Sequence, residues 1–292
     1  MADGYAAALL AGVALLSAPA AAGQTVPTID TEDAGLGTAA VGTGAFHPIV
    51  ALDVRNGDFA RGGYDDDAAS LDRVPVHAQL GFAWALRRDE AGAGDLFVVA
   101  TSSNGIHAPS SAERTAPRAW YESNNLVGLV ARPGGVVAVG VAYTIKTSPN
   151  GISATTHEAS VTAALDGEGV LAGMKPHAAA TVRTKGDGGV FTQAGIAPQV
   201  ALSGAEDAAT LAFPLLVGVG WAGFYGAGTG DVAYGSGGIA FARPFAAGGA
   251  HWQLEAELLA VVRDATLRRL GSDVAERGAV VPLATVRLSV AF

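Results

Sequence analysis

Two serines and a histidine in the segment 102–107 come nearest to a catalytic set in type and spacing. A hydrolase needs a nucleophile such as Ser102 or Ser103 within hydrogen-bond reach of a base such as His107, and a third group that orients the base. The sequence contains no Gly-x-Ser-x-Gly elbow. Serine and asparagine ahead of a glycine are ordinary turn chemistry. We therefore expect no catalytic residues and no enzyme activity.

The densest acidic cluster of the sequence is Asp65, Asp66 and Asp67, with Asp58 and Asp72 close by. Carboxylate oxygens in such a cluster can hold a divalent cation, or approach lipopolysaccharide through bridging cations. The cluster lacks the glycine-positioned spacing of an EF-hand loop. A solvated extracellular loop explains the cluster better, so we expect no resident metal and no cofactor.

Three histidines, His77, His157 and His177, lie near the ends of predicted strands. No two of them have a metal-ligand spacing such as i, i+2 on one strand or i, i+4 on a helix. We therefore expect them to be polar residues of a membrane interface or of a barrel lumen.

Nine further polar side chains lie within segments that alternate as β-strands do. They are Glu122, Lys146, Glu158, Arg183, Gln193, Glu255, Glu257, Arg263 and Arg287. An arginine or lysine on the lipid face of a membrane barrel costs about 2–4 kcal/mol near the midplane, so the lumen is the expected place for them. Their mixed signs predict either a polar pore or a lumen closed by cross-linked side chains, and the sequence leaves both open.

The elements that must position these side chains are about twelve segments with period-two or β-rich patterns, separated by turn signals. We place them at 46–55, 76–87, 95–102, 120–131, 136–147, 155–165, 176–184, 190–202, 210–221, 232–243, 252–263 and 281–292. Several of them hold about ten residues, enough for a tilted strand to cross the hydrocarbon layer. The segment 252–263 is also rich in helix-forming residues, so a helix is an alternative there.

One face of these segments is bulky and apolar, and the other is small or polar. In 136–147, for example, Val139, Val141 and Tyr143 oppose Gly140 and Ala142. A soluble sandwich would pack its large residues inside, whereas a membrane barrel turns them towards lipid. The pattern predicts an all-β fold, an antiparallel transmembrane β-barrel of about 12 strands.

Long connections alternate with short ones along most of the chain. The long ones are 56–75, 103–119 and 264–280, and the short ones are 88–94 and 132–135. Outer-membrane barrels have long extracellular loops and short periplasmic turns. The short 185–189 and the long 166–175 depart from this alternation.

The last strand ends on its apolar face, with Leu288, Val290 and Phe292 at every second position. A strand that closes a transmembrane barrel has this pattern, with an aromatic residue at the interface. We expect these residues to form the barrel-closing strand and the signal that the barrel-assembly machinery binds.

Composition supports a membrane barrel and excludes other classes. Charged residues are only 15% of the chain and Gly is 40 of its 292 residues. Such a shortage of charge is unusual for a soluble surface and expected for a belt that faces lipid. The net charge of −9 argues against a nucleic-acid partner, and the absence of cysteine excludes disulfides.

The first residues have the pattern of an export signal. Residues 6–16 have the length of a hydrophobic signal-peptide core, and Ala20–Ala22 offers a small-residue cleavage site. No lysine or arginine precedes this core, so the signal is atypical or the true start lies upstream. We expect a signal peptide over 1–22, a flexible periplasmic leader over 23–45 and the barrel domain over 46–292.

These features together resemble Gram-negative outer-membrane β-barrels. Within that group, Trp120–Asn125 and Tyr143–Gly151 look like segments of the TorF-type porins. The resemblance implies a barrel that can act as a pore, without catalytic residues and without a known substrate. It places the chain in the bacterial outer membrane, with membrane lipids and lipopolysaccharide as partners and an unknown oligomeric state.

Our first functional expectation is a porin-like passive channel for small polar or ionic solutes. The alternatives are a structural or adhesive outer-membrane barrel with a plugged lumen, and a secreted soluble β protein.

Overall fold

The computed structural model describes residues 45–64, 73–88, 94–111, 113–133, 137–165, 170–205, 208–247, 250–270 and 278–291. The predicted signal peptide, nearly all of the predicted leader, the Asp65–Asp67 cluster and Phe292 lie outside the described residues. None of the helices in the described part of the chain is long and apolar enough to span a bilayer.

The described residues form sixteen strands and two short helices. The strands are β1 Phe46–Arg55, β2 Phe59–Ala60, β3 Gly63–Tyr64, β4 Val76–Arg87, β5 Asp95–Ile106, β6 Trp120–Arg132, β7 Val137–Thr147, β8 Thr156–Leu165, β9 His177–Lys185, β10 Gly189–Ile196, β11 Gln199–Ala201, β12 Thr210–Ala212, β13 Leu215–Gly220, β14 Val232–Ala247, β15 Ala250–Arg263 and β16 Val280–Ala291. The helices are α1 Val170–Gly173 and α2 Ala265–Leu270.

Twelve of these strands close into an antiparallel barrel, which confirms the predicted fold class. β1 pairs with β4, and each strand from β4 to β9 pairs with the strand that follows it. β10 then pairs with β13, and the ladder continues through β14, β15 and β16. β16 then pairs back with β1, with Val50 opposite Val290 and Leu52 opposite Leu288. The barrel therefore has no free edge along its wall.

The predicted strand boundaries agree closely with the observed ones at most strands, with four exceptions. The predicted segments 95–102 and 232–243 are too short, because β5 continues to Ile106 and β14 to Ala247. The predicted segments 190–202 and 210–221 are each divided in two, at Pro198 and Pro214. Proline has no N–H to donate to a sheet ladder, which favours a break at these two positions, although Pro48, Pro244 and Pro282 lie within continuous strands. The segment 252–263 is a strand, and the helical alternative is wrong there.

The connections define two ends of the barrel. The loop end carries the connections 56–75, 107–119, 148–155, 221–231 and 264–279, together with the short turn between β9 and β10. The turn end carries the start of β1, the end of β16 and the connections between β4 and β5, β6 and β7, β8 and β9, β10 and β13, and β14 and β15. Helix α1 lies in the connection 166–176.

Burial alternates along the barrel strands in step with the pleat. In β7, Ala138, Ala142 and Thr144 are buried, whereas Val139 and Val141 are exposed. Most of the bulky apolar wall residues therefore cover the outside of the barrel, and most of the small and polar ones face the lumen. This is the arrangement of a transmembrane barrel.

We expect Val161→Arg to destabilise the barrel by about 2–4 kcal/mol, because Val161 lies in the middle of β8 on the lipid-facing side. Its side chain is 54% exposed, so the cost comes from lipid and not from crowding. Urea unfolding of protein refolded into lipid vesicles measures the difference. Val170→Arg is the matched control, since Val170 is 79% exposed and lies in α1, outside the wall. Equal, small costs for both variants would mean that the outer face does not contact lipid.

Candidate functional site

A small hairpin in the first loop enters the barrel lumen. This plug hairpin consists of β2 and β3, residues Phe59–Tyr64, with Ala60 paired to Gly63 across a two-residue turn. Both central residues have positive φ, 50° at Arg61 and 82° at Gly62, the pattern of a type I′ turn. A left-handed conformation is uncommon for arginine and persists only where the surroundings hold it. The contacts of the Arg61 side chain supply that restraint.

Arg61 forms a buried ion pair with Glu158 on the inner face of β8. Its Nη1 and Nη2 atoms donate to the two carboxylate oxygens, each at 2.7 Å. Both residues are almost completely enclosed, with 7% of Arg61 and 1% of Glu158 exposed. Arg183 on β9 lies beside the same carboxylate, with Nε 3.5 Å from Glu158 Oε1. This bidentate ion pair fixes the distance and the orientation of the two side chains, so the hairpin is held against the wall in one position.

Aromatic side chains enclose the rest of the Arg61 guanidinium. Its central carbon lies 5.1 Å from the ring centre of Phe191 and 5.6 Å from that of Phe224, within cation–π range. The Tyr225 hydroxyl donates to the Arg61 carbonyl at 2.5 Å. Burial raises the pKa of Tyr225 to about 12, against the opposing effect of Arg61 and Arg183. The hydroxyl therefore stays protonated and keeps donating at physiological pH.

An apolar cluster from wall and loops packs around the plug hairpin. Its buried members and the apolar residues that pack on them are Phe191, Phe224, Val232, Tyr234, Val261, Leu267, Val281, Phe59, Leu216, Tyr225 and Leu283. They come from the hairpin, from the loop after β13, from α2 and from the inner faces of several strands. The hairpin is thus bound by hydrophobic burial as well as by charge.

The turn end of the lumen is also partly filled. Ile49, Phe97, Val99, Leu126 and Val130 form a second buried apolar cluster on the inner faces of β1, β5 and β6. Bulky apolar side chains at these inward positions exclude water from this side of the lumen.

A second polar network lies on the inner faces of β1, β4 and β6. Asp53 accepts a bond from Arg55 Nε at 2.6 Å and lies 3.5 Å from Arg287 Nη2. His77 Nδ1 is 3.3 Å from Asp53 Oδ1. On the other side of the imidazole, His77 Nε2 is 3.9 Å from Asp58 Oδ1.

Asp58, His77 and Glu122 form a buried group that we term the acid–histidine cluster. One ligand atom from each of the three residues lies within 4.8 Å of the ligand atoms of the other two. His77 Nε2 is 3.5 Å from Glu122 Oε2 and 2.7 Å from the Tyr121 hydroxyl. Asn124 Nδ2 donates to the other oxygen of Glu122, Oε1, at 2.6 Å. The cluster joins the first loop, at Asp58, to two strands of the wall.

The connection 107–119, which joins β5 to β6 at the loop end, is anchored near the same network. Arg73 donates to Glu113, and the Ser110 amide donates to the same carboxylate. Burial by itself raises the pKa of Glu113, but these two donors outweigh it and hold the pKa below its usual range. The His107 ring stacks on Tyr121 with centroids 4.3 Å apart. This loop therefore also folds against the mouth of the barrel.

All nine polar residues singled out in the sequence occupy inward positions of their strands: Glu122, Lys146, Glu158, Arg183, Gln193, Glu255, Glu257, Arg263 and Arg287. The structure brings Glu158 together with Arg183, and it places Glu255 opposite Arg287 in the β15–β16 register. Arg263 instead donates to the Gly278 carbonyl and lies over the Phe59 ring. Whether these side chains line a conducting pore stays a prediction.

The serine and histidine candidates have other contacts. Ser102 Oγ accepts a bond from Asn104 at 3.1 Å, while His107 lies among Arg73, Glu113 and Tyr121. His157 bonds the Tyr143 hydroxyl at 2.7 Å, and His177 lies 3.2 Å from the Lys175 carbonyl. The absence of enzyme activity stays a prediction.

Sequence reasoning did not single out Arg61, and it did not group His77 with Asp58 and Glu122. The alternation of β4 already placed His77 on the same face as Gln79, opposite bulky Leu80 and Trp84. That signal assigns a face of one strand. It gives no register between strands and no position for a loop residue.

No protein-family model and no curated protein sequence matches the chain. Among solved structures, a NanC porin has a TM-score of 0.46 at 9% identity, over 84% of this chain and 98% of that one. A bacterial polysaccharide outer membrane secretin has a TM-score of 0.45 at 10% identity, over 85% and 98%. LpxR from Salmonella typhimurium has a TM-score of 0.40 at 11% identity, over 82% and 99%. Likeness at this level does not indicate an activity.

Proposed function

We propose that the protein is a bacterial outer-membrane β-barrel whose lumen is closed by its own first loop, and that it has a structural or adhesive role. The observation that carries this proposal is the Arg61–Glu158 ion pair, which is buried inside the barrel at 2.7 Å. The wall of a water-filled pore would leave such charges hydrated. Here the pair is covered by Phe191 and Phe224, side chains of the wall and of a second loop.

The location in the outer membrane is supported by the outer face of the barrel. Large apolar side chains such as Leu80, Trp84, Val141, Val217 and Leu258 are exposed there. A soluble secreted protein rarely exposes so continuous an apolar surface. The partners in this proposal are outer-membrane lipids, lipopolysaccharide at the loop end and the barrel-assembly machinery at the C-terminal strand. Nucleic acid is not a partner, and no catalytic step is part of the proposal.

Planar-bilayer recordings test whether the lumen is closed. We expect the full-length protein to show no steady conductance, and a variant lacking residues 59–64 to conduct while keeping the heat-modifiable gel migration of an intact barrel. A control deletion of residues 226–230, in the loop after β13, removes a similar number of residues but keeps Phe224 and Tyr225, which contact the plug hairpin. Steady conductance of the unaltered protein would contradict the proposal.

A porin-like passive channel is the second candidate, and one observation favours it. Glu255, Glu257 and Arg287 face the lumen and are not fully buried, with 15% of the Arg287 side chain exposed, so part of the lumen wall on β15 and β16 is accessible to water. The resemblance of Trp120–Asn125 and Tyr143–Gly151 to TorF-type porins belongs with this candidate. A channel function then requires that the plug hairpin leaves the lumen.

In the variant lacking the plug hairpin, we expect weak cation selectivity that depends on Glu255 and Glu257. The protein is acidic overall, with a net charge of −9, so its field favours cations and weakens as salt rises. Changing both residues to glutamine should lower the reversal potential across a salt gradient without loss of the barrel. Asp231→Asn together with Asp264→Asn removes the same charge from exposed loop positions and should change the potential less. Equal effects of the two pairs would place Glu255 and Glu257 off the conduction path.

A further inference from the structure

The acid–histidine cluster has the spacing of a metal-binding site. Tetrahedral ligands at about 2.0–2.1 Å from a zinc ion lie roughly 3.4 Å from one another. His77 Nε2 is 3.5 Å from Glu122 Oε2 and 3.9 Å from Asp58 Oδ1. Small side-chain rotations therefore bring one nitrogen and two carboxylate oxygens to bonding distance of a single ion.

The neighbours of the cluster hold its members in the orientation that a metal requires. Metal-binding histidines almost always have their second ring nitrogen bonded to a carboxylate or carbonyl, and metal-binding carboxylates are themselves hydrogen-bonded. His77 Nδ1 faces Asp53 at 3.3 Å, which directs Nε2 towards Asp58 and Glu122. Asn124 is fully buried and donates to Glu122 Oε1 at 2.6 Å, which leaves Oε2 directed at the imidazole.

One ligand atom of the cluster has no well-aligned hydrogen-bond donor. Glu122 Oε2 is inaccessible to solvent, and His77 Nε2, 3.5 Å away, is already bonded to the Tyr121 hydroxyl. Leaving a buried charged oxygen without a donor is costly. One oxygen of Asp58 and one of Glu122 also lie within 4.8 Å of each other, and both residues are buried, so their like charges repel. A dication between them offsets both effects.

We infer that Asp58, His77 and Glu122 bind one divalent transition-metal ion in the lumen. The imidazole nitrogen selects against magnesium and calcium, which prefer oxygen ligands throughout, and the absence of thiolate favours zinc, manganese or cobalt over softer ions. Nε2 now bonds the Tyr121 hydroxyl at 2.7 Å, so the ion takes the place of that hydrogen bond.

The ion would act on the closure of the barrel, an inference that rests on the proposed function. Asp58 directly precedes the plug hairpin, whereas His77 and Glu122 belong to the wall strands β4 and β6. An ion bound by all three residues joins the hairpin to the wall. Because it binds the docked hairpin better than the released one, it stabilises the closed barrel by mass action.

Calorimetric titration of the full-length, metal-stripped protein in detergent with Zn²⁺, Mn²⁺ and Mg²⁺ tests the site. We expect one Zn²⁺ or Mn²⁺ per chain and much weaker Mg²⁺ binding. His77→Ala and Glu122→Gln should each weaken Zn²⁺ binding about 100-fold or more, and Asn124→Leu about 10–100-fold, the range found for residues that support metal ligands. His157→Ala, a histidine outside the cluster, is the matched control and should leave the affinity unchanged.

Glu122→Gln keeps the shape of the side chain, so its Zn²⁺ affinity tests the site even if His77→Ala does not fold into a barrel. Absence of Zn²⁺ and Mn²⁺ binding would overturn the inference. Tighter Mg²⁺ than Zn²⁺ binding, or one-to-one Zn²⁺ binding undiminished in Glu122→Gln, would overturn it as well. Metal binding in a protein that conducts steadily would contradict the proposed function alone, whereas a closed barrel that binds no metal would contradict the metal site alone.

Discussion

Arg61→Ala should convert a closed barrel into a conducting one. Removing one partner of a buried ion pair costs about 3–5 kcal/mol when the other charge stays buried without compensation. Arg183 Nε lies 3.5 Å from the same Glu158 carboxylate, so the cost here is expected at the lower end of this range. The Glu158 carboxylate becomes hydrated if the plug hairpin leaves the lumen, so opening of the barrel removes this cost. A change of this size shifts the balance between closed and open forms by roughly a hundred- to several-thousand-fold. Planar-bilayer conductance measures the shift, and heat-modifiable migration confirms that the wall is intact.

Two further variants separate charge from other effects of the substitution. Arg114→Ala removes an exposed arginine from a loop at the same end of the barrel and should stay closed. Adding Glu158→Gln to Arg61→Ala removes the uncompensated charge, so the double variant should conduct less than Arg61→Ala alone. A silent Arg61→Ala variant with an intact wall would mean that other contacts hold the lumen closed without this pair.

The barrel wall could be predicted from the sequence because its signal is local. Each strand carries its own alternation, and a residue such as Val141 is apolar because of the face it occupies in its own strand. The observed β1 and β4 have the predicted limits, 46–55 and 76–87. Closure follows from the same signal, since a sheet in lipid cannot leave an unpaired edge.

The predicted segment 95–102 is shorter than β5 because the last residues of β5 have the composition of a loop. Ser103, Asn104 and Gly105 continue the ladder of β5 opposite β4 and β6. A side chain at Gly105 would lie 2.6 Å from the Tyr121 ring, so the packing requires glycine inside this strand. The small and polar residues of this stretch are determined by the side chains that fill the lumen next to them. The sequence of one strand does not show which side chains those are.

The plug hairpin could not be predicted for a different reason. Asn-Gly and Asp-Gly are the usual sequence signals of a type I′ turn, and Arg61-Gly62 is not one of them. The energy that holds Arg61 in its left-handed conformation comes from Glu158, which is 97 residues away in sequence. The same holds for the acid–histidine cluster, where Asp58 and Glu122 approach His77 only through the register of the wall and the path of the first loop.

Gly62→Ala should open the barrel by shape alone, without any change of charge. Gly62 has φ +82°, which an L side chain adopts only with strain, and an added Cβ would lie 2.7 Å from the Tyr234 ring and 2.8 Å from Leu267. The strain costs about 1–3 kcal/mol before these contacts are counted. Tyr234 belongs to the wall and Leu267 to α2, so neither can yield without disturbing the apolar cluster. The hairpin therefore moves away from the wall, and the bilayer conductance should rise.

Gly63→Ala is the matched control one residue further along the same hairpin. The nearest atom to a Cβ at Gly63 is the Ala60 carbonyl oxygen at 3.9 Å, an ordinary contact. The two variants add the same methyl group to the same turn, yet only one of them meets the wall. Equal conductance of the two variants would mean that the tip of the hairpin is not wedged between Tyr234 and Leu267. If Gly62→Ala conducts and Gly63→Ala does not, the closure depends on the fit of the hairpin as well as on its charge, because the Arg61–Glu158 pair is present in both.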